Sequence, residues 1–249
     1  MLPRLYPIDN GRVLIDGIDI LELPVAQLRR EVRLLAQDAL LLRGSLLDNL
    51  TAFAYSATPS TAAATSTTTE TTPEAMLQVD AMAGVGAAAE AEVEAEAEAW
   101  RVFEQLGLHT RLQSLPLGLR TSIEDANLSE GELQLVSLCR AVVAYGGRQA
   151  VRVLLCDEPT SNVDYGSDGR VMDLLLGLEC TLLINAHRLQ HIHRLDLVCV
   201  LHDGRLVEQG PPADLLASAD SRFSAMWRAS TVHQDVQGVR PSHSPSDVP

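Results

Sequence analysis

Two continuous apolar runs, each followed by residues that can act in catalysis, constrain this fold more than any other feature. RVLLC leads into Asp157-Glu158, TLLINA leads into His187, and a segment of helical length and pattern, YGSDGRVMDLLLGLE, separates them. Such runs are typical of strands covered on both faces, and the strand–helix–strand order predicts a right-handed crossover in a parallel sheet. Open α/β sheets bind ligands at the carboxyl edge of their strands, so we expect Asp157, Glu158 and His187 to lie together there.

Shorter patterns predict the elements around this unit. GRVLIDG indicates a short strand, and LPVAQLRREV indicates a helix that begins at Pro24. LDLVCVLHDGRLVEQG predicts a hairpin around Asp203-Gly204, because this dipeptide suits a type I′ turn. NLSEGELQLVSLCRAVVAYGG is apolar nearly all round and predicts a buried helix that ends at Gly146-Gly147.

Composition divides the chain into four zones. Residues 1–50 and 100–229 have the mixed composition of globular sequence, and we expect a disordered tail over 230–249. Residues 51–99 are a low-complexity acidic segment, Thr/Ala/Ser-rich at first and then AEAEVEAEAEA, whose glutamates repel one another at i,i+4 spacing. We interpret this segment as a surface insertion, so that deletion of 55–99 is expected to leave the fold intact. A functional acidic tail is the alternative.

The charge balance argues against a nucleic-acid binder. The formal net charge is −14, from 33 acidic and 19 basic residues, and every basic residue is arginine because the sequence contains no lysine. Outside residues 55–99, which hold eight of the carboxylates, the balance is an ordinary 25 acidic residues against 19 basic ones. Binding to a phosphate backbone needs a basic face, which this composition does not supply.

Cysteine usage and hydropathy indicate a soluble, cytosolic chain that does not itself insert into a membrane. The four cysteines stand singly in the sequence without a CxxC pair, which favours buried free thiols in a reducing compartment. No apolar stretch approaches the roughly 18 residues of a membrane span, and MLPRLYPIDN is not a signal peptide.

Four segments together resemble the motifs of an ATP-binding cassette (ABC) domain. LSEGE (128–132), RVLLCDEPTSNVD (152–164) and INAHRL (184–189) look like its signature, its Walker B motif with D-loop, and its switch histidine, while LLAQDALLLRGSLLDNL (34–50) is similar to the Q-loop region. Their order and spacing match over nearly all of residues 11–227 apart from the insertion. SLPLGLRTSIEDANLSEGELQL most resembles the second cassette of subfamily C, the multidrug-resistance-associated exporters. The resemblance implies a P-loop NTPase core with a mostly parallel sheet and a helical signature subdomain.

The same resemblance implies roles in ATP hydrolysis. Asp157 would hold Mg²⁺, usually through water, and Glu158 would be the general base that activates the attacking water. Gln37 would contact Mg²⁺ and couple the nucleotide state to a transmembrane partner, and His187 would contact the γ-phosphate. These roles suit phosphoryl transfer, which depends chiefly on positioning and on stabilisation of charge. The implied cofactors are ATP and Mg²⁺.

Two further motifs imply a cassette dimer. The signature would present a helix N-terminus to the nucleotide held by a second nucleotide-binding domain; its residues are Leu128, Ser129, Glu130, Gly131 and Glu132. The D-loop would communicate across the dimer; its residues are Ser161, Asn162, Val163 and Asp164. The implied partners are that second domain and the transmembrane domains of an exporter, which would hold the chain at the cytoplasmic face of a membrane.

Several of these residues also have purely structural interpretations. Asp157-Glu158 could be an ordinary end of a strand, with Pro159 starting a turn. His187, His191 and His193 have a spacing that could suggest a zinc site, although no carboxylate is placed as in HExxH. Ser129 and Glu132 form the S-x-x-E pattern of a capping box, which is compatible with a signature role.

The sequence departs from the family at two places. Glu132 stands where the signature usually has glutamine, and with Glu130 it adds negative charge near the expected phosphate, so we predict a weakened signature. The second departure is the absence of GxxGxGK[ST] and of the upstream aromatic residue that stacks on adenine. We therefore interpret the chain as an N-terminally truncated cassette that begins downstream of Walker A. We expect it to bind ATP poorly, to hydrolyse little or none alone, and to lack the first core strand, which puts independent folding in doubt.

Three functions fit this pattern. The favoured one is a partial nucleotide-binding domain of an ABC exporter, with ATP binding and hydrolysis coupled to transport in a longer parent. The alternative is a catalytically inactive module that supplies its signature and D-loop in trans to a partner cassette. A soluble cassette ATPase of DNA repair or translation is disfavoured by the subfamily C resemblance and by the lack of a basic surface.

Overall fold

The computed structural model describes residues 3–4, 7–39, 41–51, 90, 92–143 and 152–236, which form two units divided between Asn185 and Ala186. In chain order the strands are β1 (Leu14–Ile15), β2 (Ile18–Asp19), β3 (Val32–Leu35), β4 (Val153–Asp157), β5 (Thr181–Asn185), β6 (Val198–His202) and β7 (Arg205–Gly210). The helices are α1 (Val25–Glu31), α2 (Leu46–Thr51), α3 (92–106), α4 (His109–Gln113), α5 (Ile123–Ala126), α6 (Glu130–Val142), α7 (Tyr165–Leu176), α8 (Pro212–Ala217) and α9 (Arg222–Val236). Short 3-10 turns lie at Gly118–Arg120 and Ile192–Arg194.

The predicted strand–helix–strand unit is confirmed. β4, α7 and β5 follow one another, and β4 pairs in parallel with both β3 and β5 to give the order β3-β4-β5. The expectation that both runs are covered on two faces is correct for β4 but wrong for β5. Residues of β5 alternate between exposed and half-buried, and Leu183 in the middle of the strand is 46% exposed, so one face of β5 is left uncovered. The α/β class is therefore confirmed, with a parallel sheet at the centre of the first unit.

Helix α6 is buried along most of its length, as its apolar sequence predicts. Its carboxyl end is capped from the sheet, because Arg33 Nη1 donates to the carbonyl oxygens of Arg140 (3.3 Å), Ala141 (2.9 Å) and Val143 (2.9 Å). Burial lowers the pKa of Arg33 from its ordinary value. One guanidinium thus satisfies carbonyls that the end of a helix otherwise leaves without partners. The predicted end of this helix, Gly146-Gly147, lies outside the described residues.

The segment that follows Gln37 packs into the core. Leu46, Leu47 and Leu50 of α2 are buried, and α2 packs against α6. Asn49 is fully buried. Its Oδ1 accepts a hydrogen bond from the Leu42 N–H at 2.6 Å, and its Nδ2 donates to the carbonyl oxygens of Leu42 (2.9 Å) and Ser45 (3.0 Å). A single side chain therefore holds the loop that leads into α2.

The acidic segment contributes to the core at its carboxyl end. The expected boundary at residue 99 falls inside α3, where Ala95 and Ala99 are buried in the main hydrophobic cluster. Arg120 lies 3.7 Å from a carboxylate oxygen of Glu92 and 3.6 Å from one of Glu96. Ala95 and Ala99 stand at i,i+4 spacing and continue the buried side formed by Val102, Phe103 and Leu106, whereas Val93 and Ala97 of the same alternation are exposed. The rest of the insertion, residues 52–89, lies outside the described residues.

The amino-terminal residues form a small separate cluster within the first unit. Antiparallel strands β1 and β2 join at Asp16-Gly17, both with positive φ, and helix α1 begins after Pro24 as predicted. Ile15, Ile20, Leu28, Val32 and Val153 make the apolar centre of this cluster. Arg152 pairs with Asp16 and lies 3.5 Å from Glu31, which joins the cluster to the start of β4.

The second unit contains the predicted hairpin and two helices. Strands β6 and β7 are antiparallel, and Asp203 (φ 47°) and Gly204 (φ 71°) form the turn between them, which confirms the type I′ expectation. Helix α9 continues to Val236, beyond residue 230 where a disordered tail was expected. Within the described part of the chain, no helix is long and apolar enough to cross a bilayer.

The cysteines agree only partly with the expectation of buried thiols. Cys139 and Cys156 are buried and free, Cys180 is half-buried, and Cys199 is exposed on β6. Burial raises the pKa of the Cys156 thiol to about 12, so this thiol stays protonated and acts as an apolar side chain.

Candidate functional site

The carboxyl end of β4 places Asp157 and Glu158 at the edge where the sequence predicts a site. Asn185, at the end of β5, donates its side-chain amide to Asp157 Oδ1 at 2.8 Å and accepts the Glu158 N–H at its carbonyl oxygen at 2.9 Å. Both carboxylate-bearing residues are half-buried. Hydrogen bonds therefore hold the carboxyl ends of β4 and β5 together at this edge.

Glu158 has an unusual backbone. Its φ of 49° lies in the left-handed region, which a residue with a side chain rarely adopts. Its carbonyl oxygen accepts from Gln134 Nε2 at 3.0 Å, from Ser161 Oγ at 3.1 Å and from the Ser161 N–H at 3.2 Å. Positions of this kind persist where the surroundings hold them, and they cluster at functional sites.

The 161–164 loop connects β4 to α7. Val163 is buried, and Asp164 caps α7 by accepting from the N–H groups of Gly166 (2.8 Å) and Ser167 (3.0 Å) and from Ser167 Oγ (2.7 Å). The hydrogen bond from the Ser167 side chain, followed by the backbone bonds, lowers the pKa of Asp164 below its ordinary value. The loop therefore leads into a firmly capped helix.

The signature-like segment also begins a helix. Ser129 is the N-cap of α6, and the predicted capping box is confirmed, with the Glu132 N–H donating to Ser129 Oγ at 3.3 Å and the Ser129 N–H donating to Glu132 Oε2 at 2.8 Å. Glu132 Oε1 lies 3.7 Å from Arg111 Nε. Leu128 is half-buried beside this turn, whereas Glu130 is exposed. The Glu132 carboxylate thus folds back onto the start of its own helix beside an arginine.

The start of α6 lies against the 161–164 loop. A Cβ atom on Gly131 would come within 2.6 Å of the Asn162 carbonyl oxygen, so only glycine fits this approach. One turn further along, Gln134 accepts the Asn162 N–H at Oε1 (3.1 Å) in addition to its bond to Glu158. Sequence analysis missed Gln134; the one signal was a polar residue inside an apolar helix.

Gln37 lies at the same sheet edge. It is exposed and follows β3 by two residues, and β3 pairs in parallel with β4. Oxygen donors are the ligands that Mg²⁺ prefers. The Asp157 carboxylate at the end of β4 and the Gln37 amide two residues after β3 supply such donors, so the residues present fit this ion.

His187 belongs to the second unit and is exposed. Its expected position beside Asp157 and Glu158 stays a prediction. His193 packs edge-on against Trp227, with ring centroids 5.8 Å apart. Among the described residues, no group of three or more histidine, cysteine, aspartate or glutamate side chains could hold a metal ion, which gives no support to the zinc interpretation.

Comparisons with known proteins agree with this geometry. The family profile described as ABC transporter matches residues 1–161. The oligomycin resistance ATP-dependent permease of Saccharomyces cerevisiae is 33% identical over 95% of this chain and 15% of its own length. An ATP-dependent lipid A-core flippase of Albidiferax ferrireducens is 34% identical over 87% of this chain and 31% of its own length, so the chain spans less than a third of either relative.

Two further matches are also ABC transporters, and one of them is a solved exporter structure. ABC transporter C family member 14 of Dictyostelium discoideum is 25% identical over 92% of this chain and 14% of its own length. A solved structure of a bacterial Atm1-family ABC exporter with ATP bound matches with a TM-score of 0.66 and 25% identity, covering 97% of this chain and 34% of that one. On the family profile, this chain belongs to the ABC transporter family and corresponds to part of the cassette of an exporter.

Proposed function

We propose that this chain supplies the catalytic edge of an exporter cassette that hydrolyses MgATP. The observation that carries the proposal is the hydrogen-bonded assembly around Glu158, which joins the end of β4, the 161–164 loop and the start of α6. The family membership makes ATP and Mg²⁺ the expected ligands.

In this mechanism Glu158 accepts a proton from the water that attacks the γ-phosphate. The left-handed backbone, held by Asn185, Gln134 and Ser161, fixes where its side chain begins. Asp157 and Gln37 would hold Mg²⁺, and the ion would supply positive charge to neutralise the phosphates. His187 contacts the γ-phosphate. Phosphoryl transfer depends mainly on such positioning and on stabilisation of charge.

The dimer interface follows from the other two motifs. Ser129 and the first turn of α6 face the nucleotide of a second cassette, and the 161–164 loop contacts that cassette. The transmembrane domains of the exporter hold the pair at the cytoplasmic face of a membrane. Similarity to a C family transporter supports assignment to subfamily C. The resemblance of residues 114–135 to the second cassette of that subfamily is the ground for proposing that position.

The sequence contains no lysine, so the P-loop lysine that would contact the phosphates has to come from elsewhere. A P-loop lysine reaches the phosphates in enzymes of this kind, and the printed sequence has none. The lysine therefore comes either from a longer parent polypeptide or from a partner cassette. The second possibility is the alternative function, a module that lends its signature and D-loop in trans while Glu158 contributes nothing to hydrolysis.

One experiment separates the two functions. The whole chain is joined behind the strand–P-loop–helix segment of an ABC exporter, and ATP binding and hydrolysis are measured. We expect hydrolysis that falls about 100-fold or more in Glu158→Gln, the usual effect of removing a general base, with ATP binding retained. Glu124→Gln, an exposed carboxylate in α5, is the matched control and should change nothing.

The contrary result is equally clear. If the completed cassette binds ATP and its hydrolysis does not respond to Glu158→Gln, Glu158 is not the general base. The unjoined chain is then mixed with a cassette that has a P-loop but a disabled signature serine. Restored hydrolysis in that mixture, lost on Ser129→Arg, would favour the module acting in trans.

A further inference from the structure

Gln134 is a polar side chain in the middle of a buried helix. It is 1% exposed, and both ends of its amide are used by backbone groups that follow β4. A buried amide is costly unless it is hydrogen-bonded, and a hydrophobic residue would fit an apolar helix without that cost. Gln134 therefore needs an explanation other than packing.

Its partners require both halves of an amide. Nε2 donates to the Glu158 carbonyl oxygen, 24 residues away in sequence, and Oε1 accepts from the Asn162 N–H, 28 residues away. A carbonyl can only accept and a backbone N–H can only donate, so the orientation of the amide is fixed by its partners. Glutamate, when ionised, could serve only Asn162, and leucine could serve neither.

We propose that Gln134 is a positioning residue that makes the signature end of α6 and the segment from Glu158 to Asn162 move as one unit. This inference rests on the proposed function, because the consequence it predicts is catalytic. Gln134 holds the carbonyl of the general base and, through the same amide, the middle of the loop that faces a second cassette.

Gly131 completes this unit. The backbone of Asn162 approaches Gly131 so closely that no side chain fits between them, one helical turn before Gln134. Contact of a partner cassette with Ser129 or with the 161–164 loop therefore reaches the Glu158 backbone directly, without passing through the sheet.

The first test uses the full chain without nucleotide. Amide hydrogen exchange is measured in the wild type, Gln134→Leu, Gln134→Glu and the control Ser137→Ala, a buried polar residue on the same helix whose hydroxyl accepts from Arg140 at 3.2 Å. We expect exchange at Asn162 to be about tenfold faster in Gln134→Leu, the effect of one lost hydrogen bond, and unchanged in Ser137→Ala. Gln134→Glu keeps the acceptor and should protect Asn162, so it remains informative if the leucine variant does not fold.

The second test uses the chain completed with a P-loop segment, as above. Gln134 touches no nucleotide in this proposal, so Gln134→Leu and Gln134→Glu should each lower kcat about tenfold and leave KM for ATP unchanged. Ser137→Ala should leave both constants unchanged.

The outcomes separate this inference from the proposed function. Unchanged exchange at Asn162 in Gln134→Leu, or exchange at Asn162 in Gln134→Glu as fast as in an unprotected amide, overturns the positioning role. Faster exchange with unaltered kcat also overturns it. If exchange at Asn162 is faster in Gln134→Leu but the completed wild-type cassette does not hydrolyse ATP, the positioning role is supported. The proposed hydrolysis is then what fails.

Discussion

Gly131 and Asn162 approach so closely that a Cβ atom on Gly131 would lie 2.6 Å from the Asn162 carbonyl oxygen. The atom that it would meet belongs to the backbone, which cannot move aside as the end of a flexible side chain can. The start of α6 and the loop after β4 therefore depend on this glycine for their spacing.

The Gly131→Ala variant should be destabilised. An added methyl group forces the two backbones apart, and overpacking of this kind costs about 1–3 kcal/mol. The free energy of unfolding in urea measures the loss. The matched control is Gly169→Ala in α7, where a Cβ atom would meet nothing within 4 Å. That change should stabilise the chain by roughly 0.5–1 kcal/mol through helix propensity, and equal stability of the two variants would contradict the close-contact interpretation.

Glu132→Gln should strengthen the signature. Glutamine also serves in a capping box, so the bond from the Ser129 N–H is kept while one negative charge is removed. The lost attraction to Arg111 is that of a partly exposed pair and changes stability by less than about 1 kcal/mol. We expect stronger nucleotide-dependent dimerisation of the completed cassette, measured by sedimentation in MgATP. Glu124→Gln serves as the control, and no difference between the two would refute the idea of a weakened signature.

Asp164 should make stability depend on pH. Its pKa in the folded chain is lowered below the ordinary value of 3.8, chiefly by the hydrogen bond from Ser167. The contribution of this group is therefore fully present above pH 3.8 and is lost as the pH falls through the lower pKa of the folded state. Asp164→Asn keeps a good N-cap but does not titrate. The free energy of unfolding in urea, measured from pH 7 down to pH 2.5, should fall less steeply in Asp164→Asn than in the wild type. The same pH dependence in both proteins would count against this role.

Two deletions test where the insertion ends. Removal of 55–89 should leave the free energy of unfolding nearly unchanged, since none of the described core residues is lost. Removal of 55–99 also takes away Ala95, Ala99 and the partners of Arg120, so it should lower the thermal midpoint or prevent folding. The original expectation, that the longer deletion is tolerated, is the opposite outcome. Circular dichroism melts of the two purified proteins decide between them.

The features of the fold that sequence analysis predicted are those set by local pattern. The apolar runs before Asp157 and His187 predicted the parallel crossover. The Asp203-Gly204 dipeptide predicted the hairpin turn, and the S-x-x-E pattern predicted the capping box. Each depends on residues that are close together in sequence, where periodicity and turn chemistry act directly.

What sequence analysis missed depends on contacts between distant segments. Gln134 meets residues 24 and 28 positions away, and Arg33 meets the end of α6 more than 100 positions away. Glu132 forms the predicted capping box with Ser129, but its position beside Arg111 of α4 was not predicted. The burial of Ala95 and Ala99 was not predicted, because the boundary at residue 99 was drawn from composition alone. The roles of Glu158, His187 and Gln37 come from family resemblance and stay predictions.

Arg33 gives α6 a second point of attachment. The helix has 13 residues, about 20 Å, and it is held by Arg33 at its carboxyl end and by Gln134 and Gly131 near its start. A helix held at both ends behaves as a rigid rod between β3 and the loop after β4. We therefore expect a displacement at Ser129 to be transmitted along the helix to Arg33, and through it to β3.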